Sequence, residues 1–468
     1  MAAGCLAAVA RAEPVAGPLL VHARSRTTWI YPAPRISPQP LGYVRAGHAL
    51  ERRDGELRRG QGCAAGWVAV EPRGFVCLDS ASLDEPRYVR ALRDTLASAG
   101  PLDFGFALSS GTPAYRRLPS AAEAAAQERP LGAARRFAVP RDSPARAVLS
   151  SAPFRPTALP WFLQAKGSAL RDAERELVRR LIPVGSTVAY TRSFEAQGRS
   201  WLLSTDGSIV PADRVQLLRR TSFHGVELDD KLKLPLFWLR ERASTKYVLQ
   251  GDAAPKAVGS WAKRSAVPLD PAQPSVVRLR RRYLKTREAL ADGSPLYVLE
   301  RDATVVSEKV SVPADVGSSG KWLQFSVSKG TLVAYVGARA VFTTLASPGL
   351  GDASVEGQAG PSSNTTPLGT FRISVKHLND DMGPEVPAEG QPLMAEVPYA
   401  QYFDMPFAIH VAYWHESFGD PMSGGCINVA PLDGERLFGW TTPTLPPDWD
   451  AVLSGGDQEP GTLVRVVR

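Results

Sequence analysis

Cysteine is scarce in this chain: four in 468 residues, at positions 5, 63, 77 and 426. That number excludes a disulfide-dense scaffold. No Cys-x-x-Cys pair occurs, which removes the usual cysteine-based zinc sites, and no metal or cofactor is expected. No apolar run reaches 18 residues, so no membrane-spanning helix is expected. Nucleic-acid signatures are missing too: there is no zinc finger, RNP-type aromatic strand or helix-turn-helix pattern, and no nucleic-acid partner is expected.

Glycine and proline, by contrast, are abundant at 40 each. They imply many turns and short strands rather than long helical bundles. The length implies two to four domains, and 44% hydrophobic content supplies their cores. The net charge of +8 favours anionic partners, acidic wall polymers among them. The densest basic run, Arg278 to Lys285, reads as a solvated strand face.

Residues 1–17 are small and apolar at first, and Ala10-Arg11-Ala12 fits a small-x-small cleavage site. They lack a basic start, so a signal remnant and an unstructured start both fit. Residues 18–82 hold strand-like runs at Thr27–Tyr31, Gly66–Val70 and Gly74–Leu78, the last two split by the turn Glu71-Pro72-Arg73. They resemble a bacterial SH3-like module. Cys63 and Cys77 flank one of these runs, and both a bridge and two thiols fit. Residues 83–183 read as mixed, with Leu170, Ala173, Leu177, Val178 and Leu181 at helical spacing before Pro183. A second SH3-like module is expected over 184–250. Residues 251–316 read as a linker followed by β segments.

From 317 to 468 the strand pattern is cleaner. Trp322 to Val327 alternates like a half-buried strand. Strands at Leu332–Val336, Ala340–Leu345 and Phe371–Val375 follow, with a small-residue loop over 351–363. The fold class expected is mostly β: a C-terminal sandwich or barrel with a short helix, preceded by small β modules and a mixed α/β middle segment.

The chemistry concentrates between Phe407 and Asn428. His410 and His415 fall there, with Cys426 behind Ser423-Gly424-Gly425. A free thiol has a pKa near 8.5 and needs a base to act as a nucleophile at neutral pH. Histidine is the usual one. Small residues before Cys426 let a ligand approach the backbone and leave the amides of Gly425 and Cys426 available to a developing oxyanion. An inert core thiol is the competing reading of these residues alone.

The segment resembles the L,D-transpeptidase (YkuD-like) signature: a His, a dozen or more residues, then Ser-His-Gly-Cys, an apolar residue and Asn or Arg. His410, Ser423, Gly425, Cys426, Ile427 and Asn428 match it. Thr366-Pro367-Leu368-Gly369-Thr370-Phe371 and Leu437-Phe438-Gly439-Trp440-Thr441 are similar to further family elements. Gly424 stands where the family usually has His, and His410 lies at the short end of the family spacing. The resemblance implies Cys426 as nucleophile, His410 rather than His415 as proton donor and acceptor, and Gly425 as oxyanion donor. It implies Ser423, Asn428, Tyr413 and Trp414 as substrate contacts. The implied partner is a peptidoglycan stem peptide, and the implied product is a 3→3 cross-link or another amine adduct. An L,D-carboxypeptidase and a decayed wall-binding scaffold remain the alternatives. The implied location is outside the cytoplasmic membrane, in the periplasm or cell wall.

Overall fold

Turn-forming residues cut this chain into short strands, which make up 42% of the described residues against 11% helix. The computed structural model describes residues 18–96, 100–132, 144–164, 176–251, 253–273, 275–317, 319–351, 364–383, 392–455 and 458–468. The leader-like start with Cys5, Leu170, Ala173 and most of the 351–363 loop lie outside them. No described helix is long and apolar enough to cross a membrane.

Two sheets pack face to face in the C-terminal part. One has six strands, in the order Val226–Glu227, Arg339–Leu345, Thr331–Val336, Lys321–Ser326, Leu463–Val467, Gly369–Arg372. The other runs Ile427–Val429, Phe407–Val411, Met394–Asp404, Val375–Met382, Ala451–Leu453. It then continues into N-terminal strands: Gly42–Val44, Thr28–Tyr31, Phe75–Cys77, Trp67–Ala69. Gly42 opposite Val452 and Tyr43 opposite Ala451 make the join. A Cβ at position 42 would sit 2.1 Å from the Ala451 carbonyl oxygen, so only glycine lets the strands meet there. Leu323, Phe325, Leu332, Ile409, Ile427 and Val466 fill the sandwich core. Each such side chain contributes about 1.5–3 kcal/mol through burial. A disulfide joins Cys63 to Cys77, closing the N-terminal strands on themselves.

Between these regions lie three further sheets among the described residues. Strands from Gly105–Ser109 to Val215–Leu218 form one sheet. Within it Val178–Ile182 pairs antiparallel with Thr112–Tyr115. The helical spacing read at Leu177, Val178 and Leu181 is therefore overturned: a strand partner outweighs a weak local periodicity. The stretch read as a linker also carries strands, Lys256–Trp261 and Ala266–Pro268. They belong to a small β unit with Trp261, Val267, Leu284 and Val298 in its core. The basic run forms the tip of a hairpin between Ser275–Arg278 and Arg281–Ala289, and Arg280, Arg281 and Arg282 are exposed.

Two strand expectations change in the C-terminal part. Trp322 to Val327 is buried on both faces, because Phe223, Leu236 and Trp238 pack over Trp322 on the side away from the sandwich. Phe371 to Val375 is not one strand. Gly369–Arg372 belongs to the six-stranded sheet and Val375–Met382 to the other. The chain crosses between them at Ile373, which is fully buried.

Candidate functional site

The strands Phe407–Val411 and Ile427–Val429 pair in parallel, with Ile409 opposite Ile427 and His410 opposite Asn428. Ile409 and Ile427 face the sandwich core. Alternation places Ala408, His410 and Asn428 on the opposite face. Cys426 enters the second strand on that face. It packs against Ala408 and Tyr402. His410 and Cys426 thus share one sheet face, two residues out of step on neighbouring strands. Strand spacing and rise put their Cα atoms roughly 8 Å apart, within reach of the two side chains.

His410 is buried, and its Nδ1 lies 3.0 Å from the Val411 carbonyl oxygen. A carbonyl only accepts, so in the neutral ring Nδ1 carries the hydrogen and Nε2 keeps its lone pair. Burial pulls the His410 pKa down to about 4, against the opposing Val411 hydrogen bond. Burial likewise pushes the Cys426 thiol up to about 11, with the Ala408 N–H acting the other way. The resting pair is therefore neutral, and Cys426 as a residue is half-buried.

His415 is fully buried, with Nε2 3.0 Å from Asn428 Nδ2. Burial, then the neighbouring His410 and Arg264, lower its pKa to about 3. Its Nε2 is engaged by Asn428, whereas the His410 Nε2 has no hydrogen bond among the described residues.

The loop before Cys426 is closed by its own groups. Ser423 Oγ donates to the Cys426 carbonyl at 2.6 Å and accepts from the Gly425 N–H at 3.1 Å. The Gly425 amide is therefore engaged by Ser423 in the resting loop. The Cys426 amide has no backbone partner among the described residues. Gly425 sits at φ +127°, and a Cβ there would lie 2.3 Å from a Phe407 ring carbon. Gly424 is different: it is exposed, and among the described residues a Cβ would meet only Asn364 Oδ1, at 3.6 Å. Position 424 therefore has room for a side chain.

Three of the four residues read as substrate contacts have partners within the protein. Ser423 shapes the loop. Asn428 is 1% exposed and orders His415. Tyr413 stacks on Phe106, ring centroids 3.6 Å apart, and its hydroxyl bonds the Ala395 carbonyl and Thr187. Each side chain is occupied by the protein itself. Trp414 stays beside the site, its ring 5.8 Å from that of His410.

The structure adds residues that local motifs do not reveal. Glu416, in the loop after His415, is held by Arg219 at 2.9 Å and Arg264 at 3.4 Å. Arg240 reaches Asp420 at 3.2 Å, and Phe223 stacks on Phe418. All four clamping residues come from upstream of residue 270. Their distance along the chain hides them from a sequence reading.

Residues 320–466 match the family model YkuD, the L,D-transpeptidase catalytic domain. Comparison with curated protein sequences finds no match. Among solved structures the chain resembles an L,D-transpeptidase from Xylanimonas cellulosilytica at 21% identity, covering 34% of this chain and 64% of that one, with a TM-score of 0.23. The chain thus spans less than two thirds of that relative. It also resembles the catalytic domain of the E. faecium L,D-transpeptidase at 19% identity, covering 32% and 97%, TM-score 0.22. A third likeness is the Mycobacterium smegmatis L,D-transpeptidase at 16% identity, covering 44% and 100%, TM-score 0.24. The likeness to the L,D-transpeptidase catalytic domain thus lies in the C-terminal part of this chain, over residues 320–466.

Proposed function

We propose that the chain is a cysteine acyltransferase acting on peptidoglycan stem peptides, with Cys426 as nucleophile and His410 as proton carrier. The observation that carries this reading is the shared face of two paired strands, with His410 held so that Nε2 is the basic nitrogen. The thiol proton passes to His410 Nε2 as the sulfur attacks the carbonyl preceding the terminal D-Ala. The carbon–nitrogen bond then breaks, the departing amine takes that proton, and a thioester remains. An amine of a second stem attacks the thioester, giving a 3→3 cross-link and returning a proton to sulfur. Water in place of the amine gives carboxypeptidase activity. The Cys426 amide is the available oxyanion donor, and one such donor is worth about 3 kcal/mol in other acyl-transfer enzymes.

The neutral resting pair suits general-base attack rather than a standing thiolate. At pH 7 a thiol of pKa about 11 is ionised in roughly one molecule in ten thousand. The Cys63–Cys77 disulfide supports an oxidising compartment, and so an exported protein working where peptidoglycan lies. The high thiol pKa and Gly424 together favour a second reading, a wall-binding scaffold whose chemistry has decayed. Incubation with a purified disaccharide-tetrapeptide separates the two. The enzyme releases D-Ala and Cys426→Ala does not, whereas equal, background-level release from both leaves the scaffold.

A further inference from the structure

Away from Cys426 and His410, a cleft of about 1010 Å³ opens where N-terminal turns, the 105–218 sheet and the C-terminal sheet meet. We propose that this cleft binds a linear polyanion carrying phosphate or carboxylate groups. Among the described residues seven arginines and His48 line it, against five carboxylates. The positive groups come from separate parts of the chain: Arg24 and Arg26, Arg45, Arg93, and Arg116 with the Arg179–Arg180 pair. Only the fold assembles them, so the site is invisible as a sequence motif.

Arg93 is already paired with Glu85 and Asp94, and His48 with Asp450, so the surplus lies at Arg24 and at the Arg179–Arg180 pair. Arg45 is committed to Glu396, at 2.6 and 2.5 Å, and Arg26 pairs with Asp381. Arg179 and Arg180 share one carboxylate, Asp206, at 3.2 and 3.8 Å. Arg24 is exposed and has no carboxylate in ion-pair range among the described residues. The strand geometry at Arg179–Arg180 is itself informative. Successive residues of a regular strand point to opposite faces, yet both guanidinium groups reach Asp206. The register shift between Val178 and Arg180 re-aims one of them, the usual use of a bulge beside a site. Two planar forks around one carboxylate leave N–H donors for a second oxyanion, and arginine suits phosphate and carboxylate equally. The volume holds several units of a polymer, and charge from separate elements suits a ligand with repeated anionic groups. The proposal is independent of the chemistry at Cys426: the cleft would anchor the protein on its polymer.

The test uses the full-length protein with two fluorescently labelled probes, inorganic polyphosphate and poly-glutamate, followed by anisotropy. We expect saturable binding of at least one probe, weakening about tenfold as salt rises from about 0.05 to 0.3 M. The stronger probe identifies the oxyanion. The double substitution Arg24→Gln with Arg180→Gln is expected to weaken binding at least about fivefold. The same charge removed at the hairpin tip, by Arg280→Gln with Arg281→Gln, is expected to leave it unchanged. Should the cleft double variant lose its thermal transition, Arg24→Gln alone, at an exposed position, carries the comparison with an expected loss of about twofold or more. Failure of both probes to bind, or equal losses in cleft and hairpin variants, overturns the proposal.

Discussion

Adjacent glycines before the nucleophile respond in opposite ways to the same methyl group. Gly425→Ala places a Cβ 2.3 Å from the Phe407 ring at φ +127°, where a side chain is strained. Phe407 is itself in the sandwich core and cannot withdraw freely. Overpacking costs about 1–3 kcal/mol and the unfavourable backbone about 1–2 kcal/mol, so Gly425→Ala loses about 2–5 kcal/mol. The Ser423–Gly425 hydrogen bond is displaced with it, and the sulfur moves off its position. Among the described residues Gly424→Ala meets only Asn364 Oδ1 at 3.6 Å and stays within about 0.5 kcal/mol, as surface substitutions usually do. Denaturant unfolding measures both, and thiol labelling at Cys426 reports whether the loop has moved. Equal stability of the two variants, or a greater loss at 424, would refute the loop geometry.

Other consequences are as direct. Iodoacetamide should label Cys426 at a rate that climbs with pH up to a midpoint near 11; a midpoint near 8 contradicts the buried neutral thiol. His410 stays neutral in the folded protein down to about pH 4, whereas the unfolded ring takes up a proton near 6.5. The unfolded state then binds more protons, so this contribution is complete above about pH 6.5 and is lost as pH falls to about 4. Its size is about 3 kcal/mol, and His410→Gln should flatten that part of the stability–pH curve, as a denaturant series at several pH values will show. Arg264→Met removes one of the two cations on the buried Glu416. It should cost about 1–3 kcal/mol and slow acylation of Cys426 several-fold, whereas an unchanged acylation rate argues against the clamp. Gly424→His should fold normally and shift the labelling midpoint, and an unfolded product would mean that position 424 is closed.

What was legible in the sequence was local. Cys426, His410 and the Ser-Gly-Gly approach lie within 17 residues, and the strand-like runs Leu332–Val336 and Ala340–Leu345, split by a Gly turn, fall within the strands Thr331–Val336 and Arg339–Leu345. What was not legible depended on partners far along the chain. Trp322 has a second covered face because residues near 223–238 fold over it. Val178–Ile182 is a strand because Thr112–Tyr115 offers it an edge. The partners of Tyr413, Phe106 and Thr187, lie more than 220 residues upstream of it. The Ser423 hydroxyl that holds the Gly425 amide was not legible, because sequence does not show which acceptor an amide has found. Arg219 and Arg264 hold the loop from more than 150 residues upstream, beyond any motif.

Intact-protein mass spectrometry after incubation with a carbapenem bears most directly on the central pairing of His410 with Cys426. The protein should gain one covalent drug adduct, none in Cys426→Ala, and in His410→Gln the adduct should form at least about a hundredfold more slowly. A wild-type protein that stays unmodified, or a His410 variant that acylates at the wild-type rate, would contradict the account.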